Sequence, residues 1–258
     1  MPAAVEPELL SDEVSVLKMT PKFQLDDILS NGIQIDLYRA EQCLALREVI
    51  AEHANEINGA SFGDLFGNLQ RILYQFAMLS MAKVFEIQTP RYPLRSIHAA
   101  LTVLKDYGSA LALQNKHSLI EALVQFGHDE KWVNPLSDAQ LTELLHKEYK
   151  CRLPQPDESS SDDMSKTLYA IKTLRDKFIS HSEAIKIEDL PDVPFGGVTN
   201  LIQFAQKFLT TVGRTYLSVS YTLTAGKFMK TTDAAGASRG LERLLETAGI
   251  IGEAETQL

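Results

Sequence analysis

The chain has 258 residues, 45% of them apolar and 23% charged, with a formal net charge of −9 and a pI near 5.2. Such a balance suits a soluble globular protein with one substantial core or two small ones. The acidic surplus argues against a non-specific nucleic-acid coat, which needs many Lys and Arg on one face to release counterions, but it leaves room for a local basic groove.

Residues 1–24 mix acids, prolines and scattered apolar side chains and read as an extension. Met1-Pro-Ala-Ala-Val-Glu-Pro-Glu8 is not a basic segment followed by an apolar run, so no leader peptide is expected. No apolar stretch approaches a membrane span, so no membrane partner is expected. Cys43 and Cys151 are too few and too far apart for a disulfide framework and lack metal-ligand spacing. The expectation is a reducing cytoplasm, with no metal and no cofactor.

From Leu25 the apolar positions Ile28, Ile33, Leu37, Ala40, Leu44 and Ile50 repeat at helical spacing to Glu52, with Gly32 as a break point and Asn58-Gly59 as the stop. Ser61 reads as the N-cap of a long helix carrying Phe62, Leu65, Phe66, Leu69, Ile72, Leu73, Phe76, Leu79 and Val84. A helix so apolar should sit at the centre of a bundle. Pro90 and Pro93 force a turn. Three shorter helices follow: Leu94 to Leu104 closed by Gly108, Leu119 to Phe126, and Leu141 to Tyr149 started by Ser137. Residues 90–163 look like a helical insert. Their Trp132 is expected to anchor packing. Pro154 to Asp163 is a polar, acidic loop, with Asp162 or Asp163 capping the helix after it.

That next helix is the most informative. On a projection of roughly 100° per residue, Met164, Leu168, Ile171, Leu174, Phe178 and Ile185 form one stripe, and Arg175 and His181 flank it about 120° apart. Lys172, Asp176 and Glu183 occupy the outward arc. An arginine and a histidine beside a buried seam cost desolvation that a partner, a ligand or a catalytic task must offset. The helix should end between His181 and Lys186. Pro191, Pro194 and Gly196-Gly197 then make a return into a long helix from Leu201 to Leu223, antiparallel to the first. Residues 225–258 read as a tail with one helical run around Leu241, Leu244 and Leu245. No alternating β-branched run supports a sheet, so the fold class is all-α.

The run Arg175-Asp176-Lys177-Phe178-Ile179-Ser180-His181 resembles the signature of the HEPN superfamily (higher eukaryotes and prokaryotes nucleotide-binding). The form Leu-Arg-Asp-Lys-x-x-x-His-Ser, late in a helical chain, is most similar to its AbiU-type abortive-infection branch. The resemblance implies an up-and-down helical bundle and a homodimer through the motif helix. It implies a composite site that cleaves single-stranded RNA without a metal; such an enzyme is expected to be restrained either by a partner such as an antitoxin protein or by low expression. His181 would act as general base or acid and Arg175 would bind the scissile phosphate, with Asp176 orienting one of them. Lys172, Lys177 and Ser182 would help to bind substrate.

The chemistry fits those residue types. RNA supplies its own nucleophile in the 2′-OH, so one group must remove that proton and another must stabilise charge on the phosphate. Histidine is poised for the first task and arginine for the second. Across residues 164–187, Lys166, Lys172, Arg175, Lys177 and Lys186 outnumber Asp176 and Glu183. The alternative is a non-catalytic helical module that binds a nucleotide, RNA or protein. In that case His181 serves the helix dipole and Arg175 a structural ion pair. His53, His98, His117, His128 and His146 are scattered, with no ligand pair, and read as surface or packing residues.

Overall fold

In the computed structural model, the structure describes residues 20–89, 93–176, 191–220 and 232–252. The described residues are helical with no strand, so the protein is all-α.

The chain enters α1 (Pro21–Ile28) where Thr20 accepts a hydrogen bond from the Phe23 amide and Pro21 supplies a pre-set φ at the first position. One π-type turn, Leu29–Ile33, joins α1 to α2 (Gln34–Glu52) without a break in the rod. Gly32 sits in that turn because a Cβ there would lie 2.2 Å from Cβ of Arg95 and 2.7 Å from its carbonyl oxygen. A second segment of chain crosses that closely only where there is no side chain.

After α3 (Ala54–Gly59) the chain reverses. The Phe62 amide donates to the Ile57 carbonyl and the Ser61 amide to the Asn58 carbonyl, each at 3.0 Å, with Ser61 in the left-handed region at φ 65°. This is the Schellman closure of α3. Ser61 therefore ends one helix rather than capping the next, and α4 (Gly63–Val84) has no side-chain cap.

α4 packs along α2 as an antiparallel partner, and α11 (Thr232–Thr247) covers another side of α2. The main core takes only the C-terminal part of α4, through Ala77, Met78, Met81, Ala82 and Val84. Leu65, Ile72 and Phe76 of α4 are exposed, as is Phe62 at its N-cap. The expected central position thus holds for half the helix. Leu241 and Leu245 of α11 seal a small second cluster with Val49, Ile50, Ile57 and Phe66.

Residues 94–153 do not form a separate core. α5 (Ile97–Tyr107) is capped by Ser96, α6 (Lys116–Gln125) by Asn115, and α8 (Asp138–Arg152) by a Ser137/Gln140 capping box. The short α7 (Glu130–Val133) lies between the last two. Their Ile97, Leu104, Leu119, Leu141 and Leu145 share one cluster with α2, α4 and the later helices. Trp132 is not a packing anchor: it is 53% exposed and stacks on His128 with centroids 5.6 Å apart.

Asp162 caps α9 (Asp163–Leu174) by accepting from the amide and hydroxyl of Ser165. α10 (Phe195–Val212) begins at Pro194, so Gly196-Gly197 belongs to its first turn rather than to the connection. Gly197 permits a tight crossing, since a Cβ there would meet Oγ1 of Thr167 at 2.1 Å. Thr167 meets Gly197, Met164 and Ser165 share a cavity with Phe204 and Lys207, and Leu174 shares another with Val193. These pairings run in opposite directions along the chain, so α9 and α10 are antiparallel. Glu41 of α2 and Gln206 of α10, both buried, are tied by a side-chain hydrogen bond.

Candidate functional site

α9 carries its apolar stripe inward. Leu168, Ala170 and Ile171 are buried, and Met164 and Leu174 pack partly buried against the same core. Neighbouring α4 and α10 absorb that face. The stripe is thus spent on the protomer's own core, and within α9 only Asp163 and Lys166 are exposed.

Arg175 follows as the C-cap of α9, with helical φ and ψ. Its side chain is 21% exposed, the flanking position that the projection expects. Nη1 donates to both carboxylate oxygens of Glu86 at 3.1 Å, and Nε donates to Oδ1 of Asp176 at 2.7 Å. Nη2 makes no hydrogen bond among the described residues. Burial works against the charge of Arg175, but the bond to Asp176 and the charges of Glu86 and Asp176 outweigh it and raise its pKa. The guanidinium is thereby fixed in orientation and in charge.

Asp176 is 54% exposed, in keeping with the outward arc, and its contact is to Arg175. Lys172 departs from that arc by being half-buried. It approaches His98 on α5, whose pKa is lowered first by burial and then by the Lys172 charge. Nε2 of His98 is buried with no hydrogen-bond partner among the described residues. Lys177, His181 and Ser182 lie outside the described residues.

The described part of the motif is therefore Lys172, Arg175 and Asp176, to which the fold adds Glu86 and His98. Glu86 lies just past the end of α4, 89 residues from Arg175 in sequence, and no spacing could signal it. His98 sits alone on the first turn of α5, and only burial distinguishes it from the other histidines.

Leu174 also lines a cavity of about 390 Å³ beside α2 and α4, with Arg47, Arg71, Gln70, Gln75, Tyr74, Met78 and Asp192 in its wall. The Tyr74 hydroxyl donates to the Val193 carbonyl at 2.7 Å and pins the approach to α10 against α4. Burial raises the Tyr74 phenol, Arg47 opposes that shift, and Asp192 adds to it. A larger cavity of about 1060 Å³ opens between α6, α8 and α10, lined by Tyr149, Phe204, Arg152, Lys207 and Arg214 among others. Among the described residues, its wall contains none of the motif.

Compared with protein-family models, curated proteins and solved structures, the chain matches none.

Proposed function

We propose that the protein is a metal-independent endoribonuclease of the HEPN type. The observation that carries this reading is the Arg175 guanidinium, half-buried, held by two carboxylates and left with Nη2 free of hydrogen bonds to the described residues. A pre-oriented donor costs little reorganisation when charge develops on a phosphate. In this reading the RNA 2′-OH attacks the adjacent phosphorus while His181 accepts its proton. Nη2 of Arg175 holds a non-bridging oxygen, and the 5′-oxygen leaves with a proton returned by a second histidine or by water. Asp176 orients Arg175. Lys172, Lys177 and Ser182 bind the strand.

The homodimer that a composite site requires has an apolar row to close over. Phe62 at the N-cap of α4 and Leu65, Ile72 and Phe76 along it are exposed, at successive spacings of three, seven and four residues that keep them on one side, the pattern of a helix seam that a second copy can meet.

The test is cleavage of single-stranded RNA in excess EDTA. The expected products carry a 2′,3′-cyclic phosphate, and both His181→Ala and Arg175→Gln should abolish cleavage while remaining folded. Strict dependence on added metal, or full activity of either variant, refutes the reading.

One observation favours a second reading, a non-catalytic helical module binding RNA, a nucleotide or a protein. Glu86 and Asp176 neutralise Arg175 and Lys172, so the described part of the site has no net positive charge, and the Arg175–Glu86 pair can serve as a strut between α4 and α9. Tight binding of RNA that survives His181→Ala, with no cleavage by the wild type, would select it.

A further inference from the structure

Arg47 is half-buried in the wall of the 390 Å³ cavity, yet no carboxylate pairs with it among the described residues. Its guanidinium lies 4.5 Å from the centroid of the Tyr74 ring and 5.3 Å from that of Phe195, and the two rings stack on each other at 6.2 Å. Nε is buried and makes no hydrogen bond among the described residues. A cation against aromatic faces keeps its charge at low cost, but the rings cannot satisfy its N–H groups. Those donors call for an acceptor that the described residues do not supply.

The rest of the wall has the same character. Arg71 is exposed and, among the described residues, held only by Asn68 at 3.2 Å, and Gln70 and Gln75 add amide donors. Asp192 is the one acid among the described residues that line the cavity and is exposed, where water screens it. Two guanidinium groups against one screened carboxylate favour an anion, and planar forks suit tetrahedral oxyanions. Leu174, in the same wall, immediately precedes Arg175.

We propose that this cavity is a phosphate-binding subsite, in which Arg47 and Arg71 hold a phosphate ester. The ester belongs either to a free nucleotide or to a neighbouring position of a nucleic-acid strand. The strand version rests on the ribonuclease reading, whereas the phosphate site does not.

The test is calorimetric titration of the full chain with inorganic phosphate, uridine 5′-monophosphate and a short oligodeoxythymidylate, which has no 2′-OH and cannot be cleaved by that route. All three should bind at low salt. Arg47→Gln should weaken each by about tenfold or more, with Arg47→Lys intermediate, because a lysine keeps the charge but not the fork. Arg71→Gln, at an exposed position, repeats the test without disturbing the core and should weaken binding several-fold. A clear gain in affinity from mononucleotide to oligonucleotide identifies a strand as the source, and equal affinities identify a free nucleotide. Failure of the wild type to bind any of the three, or unchanged binding in folded Arg47→Gln and Arg71→Gln, overturns the subsite even if RNA is cleaved. Binding lost in those variants, with no cleavage of RNA by the wild type, upholds the subsite and removes the nuclease.

Discussion

Glu86→Gln separates the catalytic and structural roles of Arg175. The substitution keeps the shape of the side chain and removes the charge that Nη1 meets at 3.1 Å. At that distance the raw Coulomb attraction is about 1 kcal/mol in water and about 5 kcal/mol at an effective dielectric near 20. The Glu86 side chain is 32% exposed and that of Arg175 21%, so solvent screening and side-chain entropy reduce the net value to about 0.5–1 kcal/mol. Asp176 still holds Nε, which keeps the guanidinium from leaving. Urea denaturation should therefore show a small fall in midpoint with an unchanged slope. If Arg175 binds a scissile phosphate, that phosphate competes with Glu86. Removing the competitor should then lower KM about threefold to fivefold, the factor that about 0.6–1 kcal/mol represents. Steady-state cleavage of a short RNA in EDTA measures it. Loss of more than about 3 kcal/mol of stability would mean a buried strut of the kind whose partner cannot be removed, and a hundredfold loss of activity would mean that Glu86 is itself needed for the chemistry. Either result refutes the reasoning.

Leu168 is fully buried between α9 and its neighbours, so Leu168→Ala should cost about 2–5 kcal/mol in chemical denaturation, and a loss below about 1 kcal/mol would show that α9 does not belong to the cooperative core. Gly197→Ala should destabilise by about 1–3 kcal/mol through the clash with Thr167, and adding Thr167→Ala, which removes the atoms at 2.1 and 2.9 Å, should recover most of it. A double mutant no better than Gly197→Ala would place the strain elsewhere. His98 has a folded pKa below its ordinary 6.5, so as pH falls the unfolded chain takes up the proton first. Stability is therefore full above about pH 6.5 and declines below it, down to the folded pKa. His98→Phe should flatten that part of the denaturation-midpoint profile, and an unchanged slope would assign the decline to other groups, of which His146, also lowered first by burial, is one.

Local features carried by neighbouring residues were legible in the sequence. The periodic apolar rows, the absence of strand patterns among the described residues, and the Ser137 and Asp162 boundaries appear in the structure because each depends on residues within a turn or two. The exposed side of Asp176 and the flanking burial of Arg175 followed from the same periodicity. Ser61 was misread because its role depends on backbone geometry: a serine at a helix boundary suits an N-cap, but here the left-handed φ closes the preceding helix. Trp132 was misread because burial belongs to the fold and not to the residue type.

The amino-acid order alone determined that this chain makes helices, which face of each is apolar, and where α8 and α9 start, since those properties are set by bonds and side chains a few positions apart. Only the tertiary structure decided which faces meet. It assigned Glu86 to Arg175, put Gly32 against Arg95 and Gly197 against Thr167, and set Arg47 against two rings with no acid paired to it among the described residues. Those pairings join residues far apart in the chain, and an ion pair or a close crossing leaves no periodic mark in either partner's neighbourhood.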